Sequence, residues 1–292
     1  MENKFNNYSS PLRYPGGKGC LFKFMSAFLE ENHLTGIDYA EPYAGGAGLA
    51  LKLLMNGRVG RIHINDKDLG IYAFWTTLLQ QPDDLCSWIE QVPVTIGQWQ
   101  AYHEALAHIQ LASIWEQATT TFFLNRTNIS GILSGGPIGG LQQTGKYTLT
   151  ARFNKTELIH RIRQIQSYAD RIHLTRLDGV DFIRSVEARH GNTLLYLDPP
   201  PYYKKAQRLY TNAFKEEDHV QLARCLQSVH SPWLLSYDHH AFVLGLYPEQ
   251  RKILYQLTQC TSNRVGDELL VLDNRLQCQT SLSLLNQALL LG

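Results

Sequence analysis

Short apolar runs, each closed by an acid or a turn, alternate with stretches of helical period along much of this chain. Leu194 to Leu197 is the plainest run: four consecutive apolar residues predict a strand buried on both faces, and Asp198 with Pro199, Pro200 and Pro201 ends it. Three further runs also finish on an acid, Arg61-Ile-His-Ile-Asn-Asp66, Arg171-Ile-His-Leu-Thr-Arg-Leu-Asp178 and Trp233-Leu-Leu-Ser-Tyr-Asp238. Ile37-Asp-Tyr-Ala-Glu41 leads into Gly45, Gly46 and Gly48 and then Leu49, Ala50, Leu51, Leu53 and Leu54, which predicts a strand, a glycine-rich turn and a helix. Leu21, Phe22, Met25, Phe28 and Leu29 carry helical spacing, as do 216–226 and 240–246, while 253–257 and 266–272 predict closing strands. Strands interleaved with helices in this way predict an α/β fold. From about Phe74 to Tyr168 the pattern is instead long, polar and amphipathic, and is broken by Ser130-Gly-Ile-Leu-Ser-Gly-Gly-Pro-Ile-Gly-Gly140, which needs an irregular loop.

Length changes the picture first: 292 residues exceed one average domain, so the helical stretch reads as an insertion into the α/β core or as part of one large domain. An apolar fraction of 44% and a charged fraction of 18% suit a folded soluble protein. No apolar run reaches the roughly 18 residues of a membrane span, and the first residues lack a basic-then-apolar signal, so a cytoplasmic location is expected. The five cysteines stand singly, with no C-x-x-C pair to indicate a zinc site or a disulfide framework. A net charge of +1 excludes any global polyanion signal. Between Asn125 and Gln164, however, Arg126, Lys146, Arg152, Lys155, Arg161 and Arg163 face a single acid, Glu157. That is a local basic patch of the kind phosphate contacts require, or else a solvated basic face.

Asp198 is the leading candidate for chemistry. A carboxylate at the carboxyl end of a buried strand lies where open α/β sheets bind ligands. The prolines lack N–H groups, so an Asp oxygen and a turn carbonyl can accept hydrogen bonds from an exocyclic amine while Tyr202 or Tyr203 stacks on its ring. The plainer alternative is a proline turn that closes a strand. Pro11-Leu-Arg-Tyr-Pro-Gly-Gly-Lys-Gly19 places Lys18 ahead of a helix, where a carboxylate or phosphate is favoured. The G-G-x-G spacing of Gly45 to Gly48 departs from the G-x-G-x-x-G dinucleotide fingerprint and argues against a nicotinamide enzyme. Asp66 can accept both hydroxyls of a ribose, or can cap the helix that starts near Leu69.

Taken in order, these segments resemble the Dam-like, alpha-group adenine-N6 DNA methyltransferases. The resemblance runs from Arg13 to about Leu272 and rests on Tyr14-Pro-Gly-Gly-Lys18, Glu41-Pro-Tyr-Ala-Gly-Gly46, an insertion, and Asp198-Pro-Pro. Phe122-Phe-Leu-Asn-Arg-Thr127, Gly135-Gly-Pro-Ile-Gly-Gly140, Ala151-Arg-Phe-Asn154 and Trp233 to Asp238 are also similar to family segments. It implies a Rossmann-like S-adenosylmethionine-dependent methyltransferase core, mostly parallel with a closing antiparallel strand, formed by residues 1–75 and 169–292. Residues 76–168 would be the inserted, mainly helical target-recognition domain. It further implies S-adenosylmethionine as donor and an adenine flipped out of duplex DNA as acceptor. By position Tyr14 and Lys18 would hold the methionine end, with Glu41 and the Gly45, Gly46 and Gly48 loop beneath it. Asp66 would take the ribose and Asp178, ahead of Asp181, the adenine edge. Arg126 and Arg152, with Asn128 and Lys155, would meet DNA. The resemblance leaves open whether a cognate restriction endonuclease partners the chain.

One departure stands in the tetrad Asp-Pro-Pro-aromatic. Its fourth position is Pro201, and the downstream Leu209-Tyr-Thr-Asn-Ala-Phe214 falls one residue late. Tyr202 is then the expected stacking ring, with Asp198, Pro199 and Pro200 completing the catalytic turn. The alternatives are an N4-cytosine or RNA amine acceptor on the same fold, and a DNA- and cofactor-binding homologue without turnover.

Overall fold

A computed structural model of the chain describes residues 10–14, 16–189, 192–202, 214–258 and 265–291. Pro15, Tyr203 and residues 209–213, singled out above, lie outside the described residues. The chain divides into two compact units, Lys18–Lys67 with Arg171–Gly292, and Met1–Gly17 with Asp68–Asp170. The division differs from the expected one in grouping 1–17 and 68–75 with the helices rather than with the sheet.

The first unit is an α/β layer structure. Its strands are β1 (Asp38–Glu41), β2 (Ile62–Asn65), β3 (Ile172–Thr175), β4 (Thr193–Leu197), β5 (Trp233–Asp238), β6 (Arg251–Thr258), β7 (Val265–Leu272) and β8 (Leu289–Leu291). They form one sheet in the order β3-β2-β1-β4-β5-β7-β6-β8. The first five are parallel, with Tyr39 opposite Ile62 and Leu194, and Leu197 opposite Leu235. β7 runs antiparallel between β5 and β6, as the methyltransferase-like core leads one to expect. All five residues of β4 are buried, which is why its sequence is apolar without alternation.

Two helices of this unit precede β2, α1 (Phe22–Glu31) and α2 (Gly48–Met55). Leu195 and Leu197 of β4, Leu235 and Tyr237 of β5 and Leu269 and Val271 of β7 pack against Phe182, Ile183 and Val186 and against Leu222 and Leu226. Tyr196 turns to the opposite face and stacks on Tyr39, with centroids 6.2 Å apart.

The second unit is helical. It comprises α3 (Leu69–Gln80), α4 (Pro82–Gln91), α5 (Ile96–Leu106), α6 (Ile114–Thr127) and α7 (Lys155–Gln166). The unit is organised around α6, whose residues from Gln117 to Thr127 are all buried although many are polar. Phe122 stacks on Phe74 at 5.0 Å, and Phe123 meets Tyr102 at 4.6 Å and Phe153 at 5.6 Å. The close approach of α3 needs Gly70, where a methyl group would strike Thr121. The remaining helices, α8 (Gly179–Glu187), α9 (Glu216–Gln227) and α10 (Ala241–Leu246), belong to the first unit. No helix among the described residues is long and apolar enough to cross a membrane.

Candidate active site

Five parallel strands point the same way, and each finishes on or just before an acid: Glu41 ends β1, Asp66 follows β2, Asp178 follows β3, Asp198 follows β4 and Asp238 ends β5. The sheet reverses its order between β1 and β4, so Glu41 and Asp198 stand at the switch point, where such sheets open a crevice.

Around Asp198 the charges are paired. Lys18, at the start of a 3-10 turn before α1, donates from Nζ to Asp198 Oδ1 at 2.9 Å and stands 3.5 Å from Glu268 Oε2 on β7. Only 7% of the Lys18 side chain is exposed, against 30% for Asp198. Burial works against the lysine cation, but Asp198 and Glu268 outweigh it and hold its pKa well above the usual range. Burial likewise raises both carboxyl groups, with the lysine pulling the other way. The contact from Lys18 is made to Oδ1 of Asp198, whose side chain stays partly open. Glu268 was not foreseen, because its stretch reads from sequence as a plain closing strand.

Glu41 is buried at the amino end of α2, where Oε1 accepts from the Tyr39 hydroxyl at 3.0 Å and the Ala50 N–H at 3.2 Å. Burial, and then Asp198, push its pKa up to about 8. The loop between them turns through Gly45 and Ala47 in the left-handed region, a conformation glycine adopts without strain. Gly46 is buried in this loop, and a methyl group at Gly48 would meet nothing within 4 Å, so the mouth of α2 faces open space.

Asp66 closes that loop, its Oδ2 accepting the Gly45 N–H at 2.8 Å. It does not cap α3: Asp68 does, accepting from Gly70 and Ile71. Beside it, Asn65 is fully buried and holds three segments at once. Its amide donates to the carbonyls of Pro42 and Leu177, and its oxygen accepts from the Thr175 hydroxyl and the Leu177 N–H. The sequence gave no signal for this hub.

The strand ends thus bring together a carboxylate at the switch point, a lysine beside it and an acid bound to the glycine-rich loop at the end of β2. The family model for D12 class N6 adenine-specific DNA methyltransferases matches residues 14–261. The chain belongs to that family. It is a DNA methyltransferase acting at N6 of adenine. No curated protein matches it. Among solved structures, two of the rRNA methyltransferase aviRa from Streptomyces viridochromogenes are similar to it. The first is 14% identical, covering 93% of this chain and 92% of that one with a TM-score of 0.42. The second is 15% identical, covering 92% and 89% with a TM-score of 0.38.

The other expected residues of this methyltransferase are placed as follows. Asp178 caps α8 by accepting from Val180 N–H at 3.0 Å, and its second oxygen meets Lys67 at 3.1 Å in an exposed pair. Asp181 is exposed and pairs with Arg184. Tyr14 belongs to the helical unit, where its carbonyl accepts the Gly17 N–H. Pro199 is buried, and Pro200 and Pro201 are half-buried.

Two expectations, Arg126 and Asn128 as surface contacts, are corrected. Arg126 is buried, its guanidinium donating to the carbonyls of Arg152 and Pro11, so it holds the helical unit together and does not offer a surface contact. Asn128 is fully buried, accepting from the Trp99 indole at 2.6 Å and donating to Ile132 and Leu133. Tyr202 is half-buried, with its ring stacked on Phe242 at 4.6 Å and its hydroxyl donating to Glu216 at 2.7 Å. Lys155 donates to the carbonyls of Glu90 and Val92 at the end of α4, whereas Arg152 is exposed.

Proposed function

We propose that the α/β unit takes S-adenosylmethionine as its donor and receives N6 of an adenine swung out of duplex DNA at Asp198. The observation that carries this reading is the Asp198 carboxylate at the switch point, partly open and fixed by a buried lysine. S-adenosylmethionine, when bound, supplies a methyl group made electrophilic by its sulfonium. The residues present fit it: Asp66 for the ribose hydroxyls, the open mouth of α2 at Gly48 with Glu41, Gly45 and Gly46 around it, and Lys18 for the charged methionine end. Asp178 can exchange its exposed Lys67 pair, a weak interaction, for the amine of the donor's adenine.

The N6 lone pair of adenine is delocalised into the ring and needs help. Asp198 Oδ2 and a carbonyl of the proline turn accept the two amine hydrogens, which favours a pyramidal nitrogen whose lone pair faces the methyl group. Lys18 orients the carboxylate and keeps it charged as burial acts against it. Because a base stacked in a duplex cannot reach such a crevice, the adenine must be extruded. Exposed Arg152, in a group of arginines with Arg13, Arg126 and Arg161, is the phosphate contact we assign to the helical unit.

Transfer from labelled S-adenosylmethionine to DNA lacking adenine methylation, followed by nucleoside analysis, tests the reading. Label is expected in N6-methyldeoxyadenosine, with a loss of about a hundredfold or more in Asp198→Ala. Label in N4-methyldeoxycytidine, or an undiminished Asp198→Ala enzyme, would overturn it.

A further inference from the structure

Three consecutive prolines, Pro199 to Pro201, leave the turn after β4 without a single N–H, so Tyr202 supplies its first backbone donor after Asp198 itself. That donor goes to Oδ1 of Asp238 at 2.9 Å. Asp238 ends β5, the strand that pairs with β4 through Leu197 and Leu235, so it stands beyond the same carboxyl edge. Tyr202 is then gripped twice more. Its ring stacks on Phe242 with an interplanar angle of 20°, lies 4.4 Å from the ring of His240 and takes the edge of buried His219 at 5.6 Å. Its hydroxyl donates to Glu216 at the start of α9.

We propose that Asp238 and Tyr202 are positioning residues: together they form a peg that sets the height of the proline turn, and Tyr202 is not the ring on which the extruded base stacks. A base-stacking ring must keep a face open to the crevice, whereas this half-buried ring stacks on Phe242 and has His240 and His219 against it. The physical need for the peg follows from the prolines. Without N–H groups the turn cannot be tied by a ladder, so ring stiffness and the next available amide locate the carbonyl that shares the amine with Asp198. A displacement of the turn by about 1 Å would misdirect that carbonyl and lower the rate about tenfold to a hundredfold without changing how DNA is held. This inference rests on the reading of Asp198 as the amine acceptor, and label transfer by the wild-type enzyme tests that reading separately.

The test compares Asp238→Ala, Asp238→Asn, Tyr202→Leu and Tyr202→Phe in steady-state transfer. 2-Aminopurine replaces the target adenine, in the site mapped from the methylated product, as a spectroscopic readout that needs no turnover. For the peg, Asp238→Ala and Tyr202→Leu each lose about tenfold or more in kcat with KM for DNA nearly unchanged. Asp238→Asn, which keeps an acceptor for the amide, recovers most of that loss, and the double variant is little worse than the poorer single one. The fluorescence of extruded 2-aminopurine is then the same in Tyr202→Leu as in wild type. For a stacking ring, Tyr202→Leu alone unquenches the fluorescence and Tyr202→Phe is silent. That pattern, or full activity in Asp238→Ala, would overturn the proposal.

Discussion

Replacing Glu41 with Gln should remove a pH dependence of stability that the wild-type chain carries. The carboxyl group is buried at the amino end of α2 beside Asp198, and its pKa is raised from the usual 4.5 to about 8. Between those values the folded protein retains a proton that the unfolded chain has released. Stability therefore falls as pH rises through this window and levels off above about 8. Each pH unit is worth about 1.36 kcal/mol, so from pH 5 to 7.5 the contribution amounts to about 3 kcal/mol. Gln keeps the oxygen that accepts from Tyr39 and Ala50 and cannot ionise.

Urea unfolding followed by circular dichroism, run on both proteins at half-unit steps over that range, isolates the effect. Every other titrating group appears in both curves and cancels in the difference. The variant should gain on wild type by about 3 kcal/mol between the two ends of the range, most steeply at about pH 6, with unchanged denaturant slopes. Parallel stability curves would refute the reasoning and mean that Glu41 ionises in the folded protein as it does in water.

Two further outcomes follow from the same geometry. Asn65→Leu fits the space but strands the carbonyls of Pro42 and Leu177 and the N–H of Leu177. It should cost about 3 kcal/mol or more in urea unfolding, and a loss under about 1 kcal/mol would remove Asn65 from its role as a hub. Arg152→Gln should lower the slope of log affinity for DNA against log salt by about one. Lys155→Gln, whose ammonium is spent on two carbonyls, should leave that slope unchanged and reduce stability instead.

What could be read from the sequence was whatever depends on neighbours along the chain. The apolar run of β4 and the acids closing β2, β4 and β5 follow from local period, and the α/β class follows from strands alternating with helices. For Asp66 the sequence leaves open a ribose contact and a cap of α3; the hydrogen bond from Gly45 engages Asp66, and Asp68, two positions on, caps the helix. Arg126 and Asn128 were misread because a polar residue on a helix says nothing about whether that helix is central. Partners distant in sequence meet them there, Arg152 and Pro11 at Arg126 and Trp99 at Asn128. Burial then changes what a charge can do: a buried arginine whose Nε and Nη1 donate to backbone carbonyls cannot turn those donors to a phosphate without leaving the carbonyls unpaired.

The least legible residues are those whose partners lie far along the chain. Lys18 meets Asp198 across 180 positions, and Asn65 meets Leu177 across 112. Their common cause is direction. Strands β1 to β5 all run one way, so their carboxyl ends arrive at one edge, and acids that look like separate helix caps or strand stops in sequence become one field of negative charge. Such a field cannot stay uncompensated in a crevice of low dielectric. A buried lysine, a carboxyl group held protonated near neutrality and an aspartate bound to a loop amide are three different answers to that repulsion, at Asp198, Glu41 and Asp66 respectively. The same repulsion makes the edge receptive to amines, so the features that stabilise the crevice are also those that would select an exocyclic amino group as its guest.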